Sequence, residues 1–439
     1  MKISVAGAGY VGLVTGICLA SSGIDVLCCD ADESRTEALK NGVLPIYEPK
    51  LGELLNRCLS GEKRIGFTSD MEQTVNHAEV IFITVNTPTS ENNLSDLSNV
   101  FDVARKIGKY MNSPKVIVNK STAPVGTGRK ILSEIANILR ERSSSLEFDV
   151  VSNPEFLREG SAVDDFTNPE RIVLGADSPK AADTVKAVYA EQAGRNIPVL
   201  VTGIETAEMI KYASNAFLAA RVSFINEIAN ICELCGADAA VVAEGMGLDS
   251  RIGPKFLKPG PGFGGSCFPK DLRALSGLAV SLGYAPFLLD GVLKTNKRQT
   301  AVMLNKIRRS LAGTESRTVT VLGVSFKPDT DDIRDAPSIP IIEGLLKDGI
   351  TVRLYDPKAM DNLKRQYPHL AGACCQDTYS ACERSDCIVL VTEWQELCSL
   401  DFKRLEGLVS RKVFLDLRNA YDPGYVRSCG FYYEGVGRI

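Results

Sequence analysis

The chain is poor in histidine. Only His77 and His369 occur among 439 residues, and neither has a recognisable partner in the sequence. Imidazole acid–base chemistry and histidine-rich metal sites are therefore not expected, and proton transfer falls to carboxylates, lysine or water. No run of about 18 apolar residues is present, so no membrane span is expected. There is no strongly basic stretch and the net charge is −4, which gives no footprint for nucleic acid. The thirteen cysteines lack the spacing of a disulfide framework and mostly sit inside apolar runs, as with Cys18, Cys28, Cys29 and Cys58. They read as core filler in a reducing, cytoplasmic setting. Cys232-Glu-Leu-Cys235 lies in a helical stretch with no second pair, so neither a redox nor a zinc role is expected. The first residues lead straight into a strand, without the pattern of a signal peptide.

What is present is a nucleotide fingerprint. Ile3 to Gly7 reads as a short buried strand, followed by Gly7-Ala-Gly9-Tyr10-Val11-Gly12 and an amphipathic helix to about Ser22. A second strand, Asp25 to Asp30, ends on an acid 18 residues after Gly12. A lone G-x-G-x-x-G is weak evidence. Placed between a strand and a helix, with an acid about 20 residues on, it predicts a dinucleotide site. The glycines admit a pyrophosphate, and Asp30 can accept hydrogen bonds from ribose hydroxyls, which argues for NAD over NADP. Arg35 is the one nearby charge that opposes this choice. Further strands at 80–85 and 115–119 run into Asn86-Thr87-Pro-Thr89 and Lys120-Ser-Thr122-Ala-Pro-Val-Gly126. In doubly wound sheets ligands collect at such strand ends, which makes Thr87 and Thr122 candidate contacts.

The C-terminal part repeats the plan, with strands at 318–323, 351–356, 386–392 and 412–416 and a helix from Ile339 to Lys347. Its first loop is Gly323-Val-Ser-Phe326-Lys327-Pro-Asp, and Lys327 and Arg418 at strand ends point to a second, different nucleotide. Between the halves, apolar residues recur at helical spacing (Met209, Tyr212, Ala216, Leu218, Val222, Ile225, Ile228), which predicts a long connecting helix from Thr206 to about Leu234. The chain length calls for two or three domains. The expected class is α/β: two Rossmann-like domains with parallel sheets joined by a long central helix. The expected boundaries are 1–202, 203–296 and 297–439.

One cysteine differs from the rest. Cys267 lies in Gly262-Phe-Gly264-Gly-Ser-Cys-Phe-Pro-Lys270-Asp271, a glycine-rich turn running into a helix. The glycines let backbone approach a ligand closely, and Pro269 suits a first helical turn. A thiol at a helix N-terminus beside Lys270 is in positive potential, which favours the thiolate. A redox cofactor with an activated thiol indicates an oxidation that passes through a covalent thioester. Two further pairs accompany it. Glu155 and Glu159, in Asn153-Pro-Glu-Phe-Leu-Arg-Glu-Gly, share a face if that segment is helical. Lys211 and Asn215 project together from the polar side of the connecting helix and make a candidate oxyanion site. Each pair taken singly is an ordinary solvated helix face; their weight comes from occurring together.

These motifs (GAGYVG, VNTPT, KSTAPVG, SNPEFLREG, KYASNAFLA, FLKPGPGFGGSCFPKD, GVSFKPDTDDIRDAP and LRNAYDP) span nearly the whole chain. Together they closely resemble the UDP-glucose 6-dehydrogenase family, within the nucleotide-sugar 6-dehydrogenases. The resemblance implies an NAD domain, a central dimerising helix and a UDP-binding domain, with UDP-glucose oxidised at C6 to UDP-glucuronate. It implies Cys267 as nucleophile, Lys211 and Asn215 as stabilisers of oxygen charge, and Asp271, Glu155 and Thr122 as the groups that place the hydrolytic water. NAD would be held by Gly7, Gly9, Tyr10, Val11, Gly12, Asp30, Arg35, Thr87, Thr122, Glu159, Lys270 and Arg334. The sugar nucleotide would meet Glu155, Phe156, Leu157, Glu159, Lys211 and Asn215. It would also meet Phe256, Leu257, Lys258, Gly260, Gly264, Phe326, Lys327 and Arg418, and Arg251 from the neighbouring subunit of a homodimer. Leu417 stands where enzymes of this family commonly have glycine. Two alternatives compete with this reading: a sibling enzyme acting on GDP-mannose or a UDP-N-acetylhexosamine, and a non-catalytic nucleotide-sugar or NAD sensor. Intact Cys267, Lys211 and Asp271 speak against the sensor.

Overall fold

The structure is a computed structural model and describes residues 1–61, 64–88, 95–314 and 317–438; Thr89 of the VNTPT motif lies outside them. The chain divides into two compact units. One comprises Met1–Ser214 with Arg273–Leu278, the other Asn215–Leu272 with Ala279–Ile439.

The first unit is built on strands β1 (Lys2–Ala6), β2 (Asp25–Cys29), β3 (Ile65–Thr68), β4 (Val80–Ile83), β5 (Lys115–Asn119), β6 (Phe148–Ser152), β7 (Ile172–Ala176) and β8 (Val199–Thr202). Their order in the sheet is β3-β2-β1-β4-β5-β6-β7-β8. The first six reproduce the doubly wound order that reverses direction beside the first strand, which opens a crevice between β1 and β4. All pairs are parallel except β6 with β7, so the expected purely parallel sheet holds only up to β6. Continuous apolar runs such as Val80-Ile-Phe-Ile are buried on both faces, as a sheet covered by helices requires.

In the second unit β9 (Thr318–Leu322), β10 (Thr351–Tyr355), β11 (Cys387–Leu390), β12 (Val413–Asp416) and β13 (Tyr432–Glu434) form an all-parallel sheet ordered β10-β9-β11-β12-β13. The repeat read from the sequence is therefore real at the level of β9, β10, β11 and β12, each in the place of β1, β2, β4 and β5. It is not a full duplicate, because among the described residues the second sheet has no strand outside β10.

The connecting helix runs from Ile204 to Cys235 and is continuous through the boundary between the units. Tyr212, Ala216 and Ile225 on it are buried as expected, whereas Met209 is exposed. Phe217, Phe224 and Ile231, spaced by seven, are exposed as well. A 32-residue helix with apolar side chains on more than one face carries more than its own unit's core needs. Among the described residues no helix is long and apolar enough to cross a membrane.

The cysteine expectation stands on burial. Cys18, Cys28, Cys382 and Cys387 are enclosed in the two cores, and that burial pushes their thiols up to about 12, far from reactive.

Candidate active site

In the first unit the glycine loop follows β1 directly. Gly7 has a φ of 111°, and a side chain on Gly12 would strike the Gly7 carbonyl, so the tight turn requires both glycines. The helix Tyr10–Ser21 starts at once, which aims its N-terminal amides into the crevice. Asp30, just past β2, accepts from the Ala8 amide at 2.8 Å and pairs with Arg35 at 3.2 Å. The acid therefore shapes the glycine loop itself. This cradle fits a dinucleotide: the close backbone, the helix N-terminus and the strand-end acid are each in place.

Thr87 donates to the Thr122 carbonyl at 2.6 Å, which ties together the loops that follow β4 and β5. Beside them lies Glu155. The segment 153–158 is extended rather than helical, so Glu155 and Glu159 do not share a helix face. Pro154 removes an amide and the strand β6 has only just ended, which leaves the chain as a strap. Glu155 is buried and Lys211 meets it at 2.8 Å, both side chains being 4% exposed. Lys211 and Asn215 are both buried, unlike the residues of an ordinary solvated helix face. Burial pushes the Glu155 carboxyl up, but the Lys211 ammonium, the Leu157 amide and Lys120 outweigh it and hold the group below its usual range. Thr122 Oγ1 sits 3.5 Å from the same carboxylate. The Phe156 ring lies under the Arg171 guanidinium at 3.7 Å.

In the second unit Cys267 caps the helix Phe268–Ser281, its carbonyl accepting from the Asp271 amide at 2.8 Å. Its Sγ lies 3.5 Å from Ser266 Oγ. Asp271 is almost fully buried, accepts from Asn215 Nδ2 at 2.6 Å and pairs with Lys270 at 2.9 Å. The expected lysine–amide pair is thus split by its partners, Lys211 to Glu155 and Asn215 to Asp271.

The glycines before Cys267 also let the chain approach itself closely. A side chain on Gly264 would collide with the Asp335 carbonyl, and one on Gly265 with the Phe326 ring. The close approach is to the chain itself, and Gly265 donates to the Arg334 carbonyl at 2.8 Å. This packs the cysteine loop onto Phe326 and the segment 334–336. Arg418 joins them, donating to the carbonyls of Val391 at 2.6 Å and Phe326 at 2.9 Å and pairing with Glu393 at 3.0 Å. Gly260 packs beside Arg418 and Leu417, and its amide is held by Asn226 at 2.8 Å. The loop from Phe256 to Gly264 is further fixed by Asn296 and Gln299. Leu257 is buried, Lys258 and Phe256 are exposed, and Lys327 lies against the Phe326 ring. Arg334 is bound to Asp332. Arg251 stands apart, its side chain 87% exposed and held only to Asp249 among the contacts described.

Asp356, at the end of β10, differs from Asp30. It accepts from the amides of Val324 and Ser325 and from the Trp394 indole, and it is buried. That acid holds its own loop.

The sequence profile of the UDP-glucose/GDP-mannose dehydrogenase family matches in three parts. The NAD binding domain covers residues 1–193, the central domain 205–298 and the UDP binding domain 320–423. The chain belongs to the UDP-glucose/GDP-mannose dehydrogenase family. It is 45% identical to UDP-glucose 6-dehydrogenase TuaD of Bacillus subtilis over 441 aligned residues, which cover 100% of this chain and 93% of that one. Identity to UDP-glucose 6-dehydrogenase of Pseudomonas aeruginosa is 42%, covering 100% and 98%. Among solved structures, a UDP-glucose dehydrogenase from Pyrobaculum islandicum superposes with a TM-score of 0.90 at 36% identity, covering 100% and 98%. This family member is an oxidoreductase that uses NAD.

Three buried residues escaped the sequence reading. Glu48 accepts from the amides of Gly160 at 2.6 Å and Ala162 at 2.8 Å and from the Tyr10 hydroxyl, tying the glycine loop to the Glu155 strap. Glu208 accepts from the Gly126 and Gly128 amides at 2.7 and 2.8 Å, and burial pushes it up to about 7. It stands three residues before Lys211, so the same helical spacing that marked Asn215 could have marked it. Lys120, inside a motif already singled out, is the third.

For cofactor choice, Asp30→Ala is expected to weaken NAD and to narrow its advantage over NADP. Removing the carboxylate takes away both ribose acceptance and repulsion of a 2′-phosphate. Comparing kcat/KM for the two cofactors checks this, and a wild type that turns over equally with both would mean that Asp30 serves only its loop.

Proposed function

We propose that the protein oxidises UDP-glucose at C6 to UDP-glucuronate through a thioester on Cys267, with two NAD used per sugar. The observation that carries this is the position of Cys267. Its thiol stands at a helix N-terminus, on a loop whose glycines pack against Phe326 and Arg418, and Lys327 lies over the Phe326 ring, so that a sugar nucleotide would find cations for its phosphates. NAD, when bound, accepts the hydride released at each oxidation. The C6 alcohol loses a hydride and a proton to become an aldehyde. The Cys267 thiolate adds to its carbon, forming a C–S bond and an alkoxide. Loss of a second hydride from that carbon leaves the thioester. Water then attacks the carbonyl, the C–S bond breaks, and the thiolate is regenerated as the carboxylate leaves.

Lys211 and Asn215 stabilise the negative oxygen that develops at each stage. Thr122, Glu155 and Asp271 place the water. The carboxylates of Glu155 and Asp271 in turn orient Lys211 and Asn215, to which each is bonded. Gly7, Gly9, Tyr10, Val11, Gly12, Asp30, Arg35, Thr87, Glu159, Lys270 and Arg334 serve NAD. Phe156, Leu157, the segment from Phe256 to Gly264, Phe326, Lys327 and Arg418 serve the sugar nucleotide. The decisive experiment counts product. With UDP-glucose the enzyme is expected to form two NADH per sugar and to release no aldehyde. A yield of one NADH would remove the thioester from the scheme, and faster turnover of GDP-mannose or a UDP-N-acetylhexosamine would reassign the substrate.

The chain functions as a homodimer in this reading. Exposed Phe217, Phe224 and Ile231 form an apolar stripe on the central helix, and the exposed Arg251 is available to the partner's site. Phe217→Glu with Phe224→Glu is expected to give monomers in sedimentation. The division into domains at 1–202, 203–296 and 297–439 follows the same scheme, and unpaired thiols suit a cytoplasmic enzyme.

A further inference from the structure

Lys120 follows β5 as the first residue of the loop that carries Thr122, and it is 5% exposed. Its Nζ donates to Asn153 Oδ1 at 3.1 Å and lies 3.3 Å from the Tyr189 hydroxyl, both neutral groups. Tyr189 in turn donates to Asn153 Oδ1 at 2.6 Å, and Asn153 donates to the Val173 carbonyl at 3.0 Å. The charged groups that act on Lys120 are Glu155, which favours its ammonium form, and Lys211, which opposes it. A buried cation bonded to neutral acceptors costs stability, because nothing within bonding distance replaces the lost hydration of its charge. A methylene chain with an apolar end would fill the same space at lower cost. What the ammonium adds is a field. The positive charge of Lys120 acts on Glu155 from a residue other than Lys211.

We propose that Lys120 is a positioning residue of the oxidation: a buried cation which, together with Lys211, keeps the Glu155 carboxylate ionised and so bounds the pH range in which the reaction proceeds. This rests on the role given to Glu155 above. Two cations and one carboxylate leave a net positive charge, which suits a centre where oxygen anions form and water must be oriented by a carboxylate rather than an acid. Burial pushes Lys120 down to about 8, so the charge is present at neutral pH and fades just above it.

The test combines Lys120→Met, Glu155→Gln and the double variant, with kcat and KM measured from pH 3.5 to 10. Lys120→Met is expected to move the acid limb of kcat up by about one pH unit, or roughly tenfold in rate at pH values below both limbs. It should flatten the alkaline limb while changing KM for either substrate by less than about threefold. In the Glu155→Gln background, Lys120→Met should leave the acid limb where it is. An unchanged acid limb in Glu155→Gln overturns the role of Glu155. A limb that moves in Glu155→Gln but not in Lys120→Met overturns the proposal while sparing that role.

A readout apart from turnover is stability. The folded state holds Lys120 at about 8 against the ordinary value of 10.5, so the unfolded chain binds more protons between those values. Wild-type stability relative to Lys120→Met should therefore rise as pH goes from 8 towards 10.5. A difference that is flat across that range would show that the ammonium is not held as described. If Lys120→Met does not fold, Tyr189→Phe serves instead. It removes one neutral acceptor, so the alkaline break should move to lower pH, and an unmoved break overturns the proposal.

Discussion

Cys267→Ser is expected to reduce turnover by roughly a thousandfold or more while leaving the first hydride transfer partly intact. The substitution keeps size and some hydrogen bonding, and the residue still caps the helix Phe268–Ser281 through its carbonyl. A serine hydroxyl, however, is far less acidic than a thiol. The helix N-terminus, which suffices to favour a thiolate, does not ionise an alcohol at neutral pH. No histidine stands near it in sequence to act as its base, since the chain has only His77 and His369. Any ester that formed would also hydrolyse more slowly than a thioester. Single-turnover NADH formation followed by mass spectrometry of the denatured protein separates the two half-reactions. Near-normal steady-state turnover in the serine variant would reduce Cys267 to a packing residue, and the thioester scheme would fall with it.

The second large effect is expected at Lys211. Lys211→Met removes one partner of a pair in which both side chains are 4% exposed, leaving the Glu155 carboxylate buried without its nearest countercharge. Breaking such a pair costs about 3–5 kcal/mol, because the remaining charge is uncompensated. Glu155 is held below its ordinary value of 4.5 in the folded protein. Its contribution to stability is therefore present above about that pH and is lost as pH falls through the depressed folded value. Lys211→Met should abolish that dependence and lower stability most at neutral pH. Activity should fall separately, by about 10²–10³-fold for a lost oxyanion donor. The double variant Lys211→Met with Glu155→Gln distinguishes the two losses. It should recover much of the stability, since no bare charge is left, and none of the activity. Recovery of both would mean that the lysine only compensates the carboxylate. Denaturant unfolding alongside steady-state kinetics supplies both measurements.

Much was legible because periodicity and turn chemistry are local. The strand–glycine loop–helix unit at 3–22 and the acid at Asp30 follow from short-range rules that backbone sterics enforce, as does the repeat of β9 to β12. The same holds for Cys267, whose glycine, proline and charged neighbours mark a turn entering a helix wherever they occur. The eight-part motif order identified the family without any contact being known. What was not legible has one cause. The shared face of Glu155 and Glu159 depends on a helix that does not form, and the spacing of Lys211 and Asn215 reports a face without reporting what covers it.

Only the tertiary structure decided what does. It made 153–158 an extended strap, buried Lys211 against Glu155 and Asn215 against Asp271, and turned β7 antiparallel to β6. It also set the glycines beside Cys267 against Phe326 and Asp335. Glu48, Glu208 and Lys120 bond to residues between 33 and 114 positions away. A buried charge announces itself by its partners, and partners that distant in the chain are brought together by packing alone. The sequence by itself determined the cofactor cradle, the helix-capping thiol and the family. The fold decided which charges face one another, because the strength of each depends on how much water the surrounding chain excludes.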